Sequence, residues 1–260
     1  GFRLLNYLKF LIMASLVLVF LMSISFNYSE IEEVPNFRAI KETESRKVAF
    51  FNFLRPIIKS ENNRIRFQRV RLQKLHEDYQ KGIALRAVDK DWLDGLHAEY
   101  GLKNKRLTAD EVWDQLLKRV DIIPVELALA QAAAESAWGT SRFAVYGNSL
   151  FGQWTYASNS GMIPLKREQG AKHRVASFTS VRMSIRSYLR NLNTHWAYQD
   201  LRDLRHTLRS NDQPLEAYEL AEGLLLYSEQ REKYIERIRR VLLVNLPIMR
   251  TLEMETESQS

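Results

Sequence analysis

Glu135 is the residue whose type and setting best suit it for chemistry. It lies near the end of a mostly small and apolar run, residues 124–139. An unpaired carboxylate in apolar surroundings costs roughly several kcal/mol, or else it takes up a proton. Glu135 is therefore either paired, as a cap or a salt-bridge partner, or kept protonated for use as an acid.

The run around Glu135 predicts one buried helix. Pro124 suits the first helical position, the alanines are strong helix formers, and Gly139 suits a left-handed C-terminal cap. Thr108 and Glu111 have the spacing of a capping box, which predicts another helix over 111–120. Because the connection between the two helices is short, we expect them to pack side by side.

Turns and aromatic residues follow Gly139, and then a candidate hairpin with strands at 162–165 and 174–178. A desolvated carboxyl beside aromatic faces suits a saccharide cleft, since the faces stack on sugar rings and the carboxyl protonates the leaving oxygen. Taken singly, each aromatic residue is more often part of a core than a ligand platform. The available faces are Trp138, Tyr146, Phe151, Trp154 and Tyr156.

Other chemistries lack their residues. The chain has no cysteine, which excludes thiol nucleophiles, disulfides and thiolate metal sites. Its histidines lack ligand spacing, and it has no glycine-rich phosphate loop and no Gly-x-Ser-x-Gly elbow. We predict no metal site and no cofactor. The net charge of +7 allows an anionic partner, but no nucleic-acid motif accompanies it, so we expect no nucleic acid partner.

The first 28 residues predict a signal anchor. Residues 11–26 are uncharged, and the apolar segment reaches about 20 residues when it is extended backwards, enough to span a bilayer. Arg3 and Lys9 precede the segment and Glu30 follows it, so the rest of the chain is expected on the extracytoplasmic side of the inner (cytoplasmic) membrane. A cleaved signal peptide is the alternative.

The remainder predicts further helices. Residues 36–81 indicate two helices separated at Pro56 and 60–63, within a structural extension over 29–104. Helices are also predicted over 181–210, 214–226 and 230–245, followed by a polar, frayed tail at 251–260. Arg182, Arg186 and Arg190 repeat every four residues along one helix face. That face could approach peptide carboxylates or could simply be solvated.

Two sequence blocks carry a resemblance to a known family. Residues 130–139, Ala-Gln-Ala-Ala-Ala-Glu-Ser-Ala-Trp-Gly, and 148–152, Asn-Ser-Leu-Phe-Gly, resemble the glucosaminidase domain of glycoside hydrolase family 73. The similarity is greatest to its bacterial Bax-type branch, and it extends through 178–180, 184–188, 191–195 and 226–228. Either block alone would be a weak signal, but the combination is fairly specific.

The resemblance implies a mainly α (α+β) fold: a lysozyme-like helical domain over 105–250 with a small β-hairpin lobe, preceded by a helical extension and an N-terminal transmembrane helix. It implies a glycoside hydrolase of the endo-β-N-acetylglucosaminidase type. The substrate would be the glycan strands of peptidoglycan, cleaved at the β-1,4 bond after N-acetylglucosamine. Glu135 falls on the catalytic general acid, and Tyr188 falls on the tyrosine across the cleft.

The remaining site residues are expected around this pair. Glu168 is the only acidic residue between Glu135 and Asp200, and it is the provisional second carboxylate, with an exposed hairpin charge as the alternative. Without it, the substrate's acetamido group could act as nucleophile. His195 is expected to order helix packing near the cleft. The predicted substrate-binding residues are Trp138, Asn148, Phe151, Trp154 and Tyr227.

Two other functions fit the same residues. One is a non-catalytic wall-binding or scaffold protein that keeps a degenerate cleft. The other is a lytic transglycosylase, which would leave anhydro-muramic ends. A basic nucleic-acid binder is disfavoured by the predicted export signal.

Overall fold

The computed structural model describes residues 33–103, 106–155, 161–163 and 174–258. Within these residues the fold is mainly helical, as predicted. Short 3-10 helices lie at Phe37–Ala39, Trp196–Tyr198 and Ala221–Leu224. The α-helices are α1 (Thr43–Gln80), α2 (Ala87–Glu99), α3 (Ala109–Arg119), α4 (Val125–Ser136), α5 (Arg142–Gly147), α6 (Val181–Thr194), α7 (Gln199–Ser210), α8 (Ala217–Leu220) and α9 (Glu232–Ser258).

None of the helices in the described ranges is long and apolar enough to cross a membrane. The predicted anchor at 1–28 lies outside those ranges, so it stays a prediction.

Helix α4 lies at the centre of the fold, packed between α1 and α9. Its small side chains allow this close packing, and residues 127–133 are all buried. Helix α3 precedes it and begins with the predicted capping box: the Thr108 hydroxyl accepts from the Glu111 amide, and the Glu111 carboxylate accepts from the Thr108 amide. The core therefore fixes the position of α4, whose last turn carries Glu135.

The segment 36–81 forms one long helix, α1, so the prediction of two helices is wrong. Pro56 lies inside α1 on its exposed side, where water can hydrogen bond the carbonyl group that proline leaves unpaired. The Asn62 side chain is fully buried and donates to the Ile123 carbonyl at 2.7 Å. Long-range contacts thus hold the polar stretch in the helix. Phe67 and Val70 fit the apolar spacing but are 78% and 66% exposed.

A buried carboxylate joins α1 to α6. Glu61 is 2% exposed and accepts from Arg182 at 2.9 Å and from Arg186 at 2.8 and 3.0 Å. Arg190 donates to the Glu99 carbonyl at 3.1 Å. The arginine face of α6 is therefore partly solvated, as expected, since Arg186 and Arg190 are exposed in part. The guanidinium groups also hold neighbouring helices together, which was not expected.

The small sheet includes the predicted pairing of Met162 with Val175, and it adds a strand that was not predicted. Strand β1 (Trp154–Thr155) pairs antiparallel with β2 (Arg174–Val175), and Met162 forms an isolated bridge to Val175. The Ala176 amide also donates to the Gln153 carbonyl at 2.8 Å. Met162 exchanges two backbone hydrogen bonds with Val175, at 2.7 and 2.9 Å, so Val175 pairs with the predicted partner as well as with β1.

Helix α9 is longer than the predicted 230–245 and continues to Ser258, which includes most of the segment predicted as a frayed tail. Met249 is fully buried, and its carbonyl accepts from the Arg55 guanidinium of α1 at 2.8 Å. Packing against α1 therefore continues the helix past Pro247.

Candidate active site

Glu135 lies in the last turn of α4, and its side chain is 20% exposed. Burial raises the pKa of this carboxyl above its ordinary value of 4.5, although Arg237 and a hydrogen bond from Tyr234 act in the opposite direction. The Arg237 guanidinium is 3.2 Å from Glu135 Oε1. The group is thus accessible enough to meet a ligand and desolvated enough to hold a proton.

The chain turns sharply directly after this glutamate. Ala137, Trp138 and Gly139 have positive φ values of 50°, 57° and 72°, so the left-handed cap begins two residues before the predicted position. Two of these are not glycine, and such a conformation costs about 1–2 kcal/mol per residue. The Ser136 hydroxyl supports the turn by donating to the Ala132 carbonyl at 2.6 Å and accepting from the Gly139 amide at 2.8 Å.

Gly152 brings the second sequence block against the carboxylate. A Cβ atom at this position would lie 2.7 Å from Glu135 Oε2, and the φ of Gly152 is +64°. Both the contact and the backbone conformation therefore favour glycine. The close approach explains why the Asn-Ser-Leu-Phe-Gly block accompanies the glutamate block in this sequence.

Helix α9 supplies two site residues that the sequence reasoning missed. Tyr234 hydrogen bonds to Glu135, and Arg237 forms the ion pair with it. The Arg237 guanidinium also lies over the Tyr234 ring, 5.1 Å from its centroid. Their i, i+3 spacing places them on one helix face. Many residue pairs in helices have this spacing, so it does not identify site residues.

A buried hydrogen-bond chain leads from Tyr188 to the glutamate. The Tyr188 hydroxyl donates to Gln131 Oε1 at 2.6 Å, and Gln131 Nε2 donates to the Tyr234 hydroxyl at 2.9 Å. Burial and the nearby Glu135 raise the pKa of Tyr234 well above 10, so its hydroxyl remains a donor to Glu135. Tyr188 is fully buried, so it meets Glu135 through this chain and not across an open cleft.

Phe151 and Tyr227 form the aromatic layer beneath this chain. The Phe151 ring stacks on Tyr188 with centroids 3.9 Å apart, and its carbonyl accepts from the Tyr227 hydroxyl at 2.7 Å. Tyr227 in turn stacks on Tyr234 at 5.2 Å. Both predicted substrate-binding residues therefore lie near Glu135. Their contacts position the loop at Phe151 and the side chains of Tyr188 and Tyr234.

Trp138 and Asn148 have structural contacts. The Trp138 ring packs edge-on against Phe50 and Phe51 of α1, at centroid distances of 5.8 and 5.3 Å. Asn148 ends α5 with φ 49°, accepts from the Val34 amide and donates to the Phe178 carbonyl, each at 3.1 Å. These contacts account for both residue types without a ligand.

Two of the aromatic faces predicted for the cleft are exposed to solvent. Trp154 on β1 is 57% exposed, and Tyr146 on α5 is 71% exposed. Glu168 and Tyr156 lie outside the described residues, so the structure does not place the provisional second carboxylate. His195 is exposed and caps the following 3-10 helix, since its Nδ1 accepts from the Ala197 amide at 3.2 Å.

The arrangement suits proton donation by one carboxyl. Glu135 has a raised pKa, an opening to solvent, a tyrosine donor and a nearby cation. Across the described part of the chain, no three His, Asp or Glu side chains are grouped so that they could hold a metal ion.

Comparison with known proteins shows the family to which the chain belongs. Residues 110–243 match the family described as Glucosaminidase, mannosyl-glycoprotein endo-beta-N-acetylglucosaminidase. Protein bax of Escherichia coli (strain K12) is 34% identical over 208 residues, which cover 80% of this chain and 73% of that protein. No solved structure matches the chain.

Proposed function

The chain belongs to the glucosaminidase family as a Bax-type protein, and from that membership we propose that it hydrolyses peptidoglycan at the β-1,4 bond after N-acetylglucosamine. Glu135 is the general acid of the proposed reaction. The family supports a glycosidase that acts on a cell-wall glycan. The finer assignment rests on the residues around Glu135.

The observation that carries the proposal is the state of the Glu135 carboxyl. It is 20% exposed, lies against the backbone of Gly152, and burial raises its pKa. A glycosidase acid must hold a proton near neutral pH and still reach the glycosidic oxygen. The raised pKa of Glu135 acts towards the first requirement, and its partial exposure allows the second.

In the proposed reaction, Glu135 transfers its proton to the leaving oxygen as the glycosidic bond breaks. Tyr234 donates a hydrogen bond to the same carboxyl, and Arg237 stabilises the carboxylate that remains after proton transfer. The developing positive charge on the sugar requires a second partner. Glu168 acting through water, or the substrate's own acetamido group, fills that role.

The lysozyme-like arrangement expected from the family fits this chemistry. In the proposed arrangement, Glu135 at the end of α4 lies on one side of the expected cleft, and Trp154 of β1 lies on the other. Trp154 and Tyr146 are the proposed stacking faces for sugar rings, because both are large, aromatic and exposed. Tyr188 acts from within the core as a positioning residue.

The proposed location follows from the N-terminal segment. An anchor over 1–28 would hold the enzyme in the inner (cytoplasmic) membrane with residues 29–260 on the wall side. Fusion of a periplasm-active reporter to residue 260 tests this arrangement. Reporter activity supports it, and activity only from a cytoplasm-active reporter contradicts it.

Identification of the products tests the reaction. Residues 30–260 are incubated with purified peptidoglycan, and the new ends are analysed by reduction and mass spectrometry. New reducing N-acetylglucosamine ends are expected from wild type, and a Glu168→Gln variant reports whether Glu168 is the second group. Anhydro-muramic ends would indicate a lytic transglycosylase. Binding to sacculi without new ends would indicate the scaffold function.

A further inference from the structure

A cavity of about 260 Å³ lies among the C-terminal ends of α3 and α6 and the start of α7. Its walls include Lys118, Arg119, Thr194, Trp196, Arg202 and Asp203. None of the residues lining it is among those that surround Glu135. The cavity is thus distinct from the proposed catalytic site, and its use does not depend on the proposed function.

Positive charge dominates this cavity. Lys118, Arg119 and Arg202 face it, against the single lining carboxylate of Asp203. Lys118 forms an ion pair with Asp203 at 3.4 Å and a second one with Asp114 at 3.6 Å. The cavity therefore carries two more formal positive charges than negative ones.

The two arginines are buried without a salt bridge to any described residue. Arg119 is 4% exposed and Arg202 is 5% exposed. Burial, together with the charges of Arg119 and Arg205, lowers the pKa of Arg202 to about 10, while Asp203 acts in the opposite direction. Charges this deeply buried are ordinarily paired, because desolvation alone costs several kcal/mol per ion, roughly.

Backbone carbonyls at helix ends accept hydrogen bonds from one nitrogen of each guanidinium group. Arg119 Nη1 donates to the carbonyls of Tyr100 and Thr194 at 2.9 and 3.1 Å. Arg202 Nη1 donates to the carbonyls of Leu192 and His195 at 2.9 and 2.8 Å. Arg119 Nε is buried and has no hydrogen-bond partner. The carbonyls at the helix ends therefore do not satisfy every donor of the Arg119 guanidinium group, although the Nε atom itself is closed off from the cavity.

Trp196 stands at the edge of the same cavity with 73% of its surface exposed. An exposed tryptophan beside buried cations offers a face to the uncharged part of a ligand whose anionic end enters the cavity. The small volume suits a single anionic group rather than a polymer segment.

We propose that this cavity binds one anionic oxygen group, a carboxylate or a phosphate, with Arg119, Arg202 and Lys118 as cations and Trp196 as the contact for the rest of the ligand. Carboxylate and phosphate oxygens match the planar donor set of arginine equally well. Because a carboxylate ligand and a phosphate ligand would make the same contacts, an experiment must distinguish them.

Calorimetric titration of residues 30–260 tests the proposal with two probes. The probes are inorganic phosphate and N-acetylalanine, with N-acetylalanine amide as the uncharged control. Binding of at least one anionic probe is expected, and it should weaken as sodium chloride rises from about 50 to 200 mM because the contact is ionic. The probe that binds identifies the source. Absence of binding by both anions would overturn the proposal.

Variants locate the binding. Lys118→Gln and Trp196→Ala, both partly or largely exposed, should keep the fold and weaken the affinity about fivefold each. Lys90→Gln removes an exposed charge on α2, away from the cavity, and should leave the affinity unchanged. Arg202→Lys should weaken binding further, with its melting temperature recorded because Arg202 also holds helix ends. Equal affinity in Lys118→Gln, Trp196→Ala and Lys90→Gln would contradict this location.

Discussion

Burial and two neighbouring residues set the protonation of the Glu135 carboxyl. Burial raises its pKa, while the Arg237 charge and the hydrogen bond from Tyr234 lower it, and burial prevails. A general acid works only when protonated, so the rate should fall as pH rises through this pKa. Arg237 therefore limits how far into the alkaline range the enzyme works.

Arg237→Gln should move the alkaline limb of the rate profile to higher pH. The substitution removes the cation 3.2 Å from Glu135 Oε1 that favours the ionised form, so the pKa of Glu135 rises and its proton is retained longer. The measurement is kcat/KM on soluble glycan fragments between pH 4 and 9. The matched control is Arg239→Gln, which removes another cation of α9. Arg239 pairs with Glu222 and not with Glu135. A limb that stays fixed or moves to lower pH would contradict the assignment.

Gly152→Ala should lower kcat and leave the protein folded. Its Cβ would lie 2.7 Å from Glu135 Oε2, so either the acid or the loop must move, and the positive φ adds about 1 kcal/mol of strain. We expect kcat to fall about 100-fold, since small displacements of catalytic groups have effects of that order. Gly82→Ala, also at positive φ but with open space around it, controls for the strain alone. Unchanged kcat in Gly152→Ala would contradict the close packing at the site.

The sequence identified Glu135 because a charge inside an alanine-rich helix is conspicuous. It could not identify Tyr234 or Arg237, since both join the site across more than 95 residues of chain and belong to an ordinary amphipathic pattern. Tyr188 was expected across the cleft. The structure places it in the core, where its effect passes through Gln131 and Tyr234.

At the level of elements, the contact between α1 and α6 depends on Glu61. Burial would raise the pKa of Glu61, but hydrogen bonds from Arg186 and Arg182 outweigh it and lower the pKa below 4.5. Because the pKa is lower in the folded state, the stabilisation is complete above the unfolded pKa and is lost as pH falls through the folded value.

Glu61→Gln should destabilise the protein by about 3 kcal/mol at pH 7, since it leaves Arg182 and Arg186 without their shared buried carboxylate. The free energy of unfolding is measured in urea at pH 7 and again at successively lower pH. The difference from wild type should shrink below pH 4.5, as the wild-type carboxylate takes up a proton. Glu44→Gln, which removes an exposed pair with Lys47, should cost less than about 1 kcal/mol. Equal costs for the two variants would refute the role of Glu61.

Local signals predicted helix ends better than helix continuity. The capping box at Thr108 and Glu111 needs only neighbouring residues, so it could be read from the sequence and is present. The continuity of α1 depends on Asn62 bonding to Ile123 and on Glu61 bonding to α6. Such partners are distant in sequence, and Pro56 alone suggested a break that does not occur.

At the scale of the whole molecule, α1 forms part of the core of the catalytic fold. Its residues Phe50, Phe51, Leu54 and Ile58 are fully buried, and α1 packs against α3, α4 and α6. Apolar composition and helical periodicity were sufficient to predict a mainly helical chain. They did not indicate that the predicted extension over 29–104 and the predicted domain over 105–250 share one core.

A fragment of residues 105–260 should therefore fail to fold. Removing α1 exposes the apolar faces of α4 and α6, and each lost large side chain contributes about 1.5–3 kcal/mol of burial energy. Circular dichroism and cooperative thermal unfolding are compared with those of residues 30–260, which keep the whole of α1. A cooperative, helical 105–260 fragment would show that the two segments are independent.

The most direct test of the proposed function is the rate of new reducing-end formation on purified peptidoglycan by Glu135→Gln and wild type, each as residues 30–260. Glutamine keeps the size and a hydrogen-bonding group but has no proton of suitable acidity for the leaving oxygen. Circular dichroism and sedimentation with sacculi confirm that the variant is folded and still binds. We predict a loss of about 10²–10⁴-fold in rate with binding retained. A Glu135→Gln variant that cleaves at the wild-type rate would contradict the assignment of Glu135 as general acid.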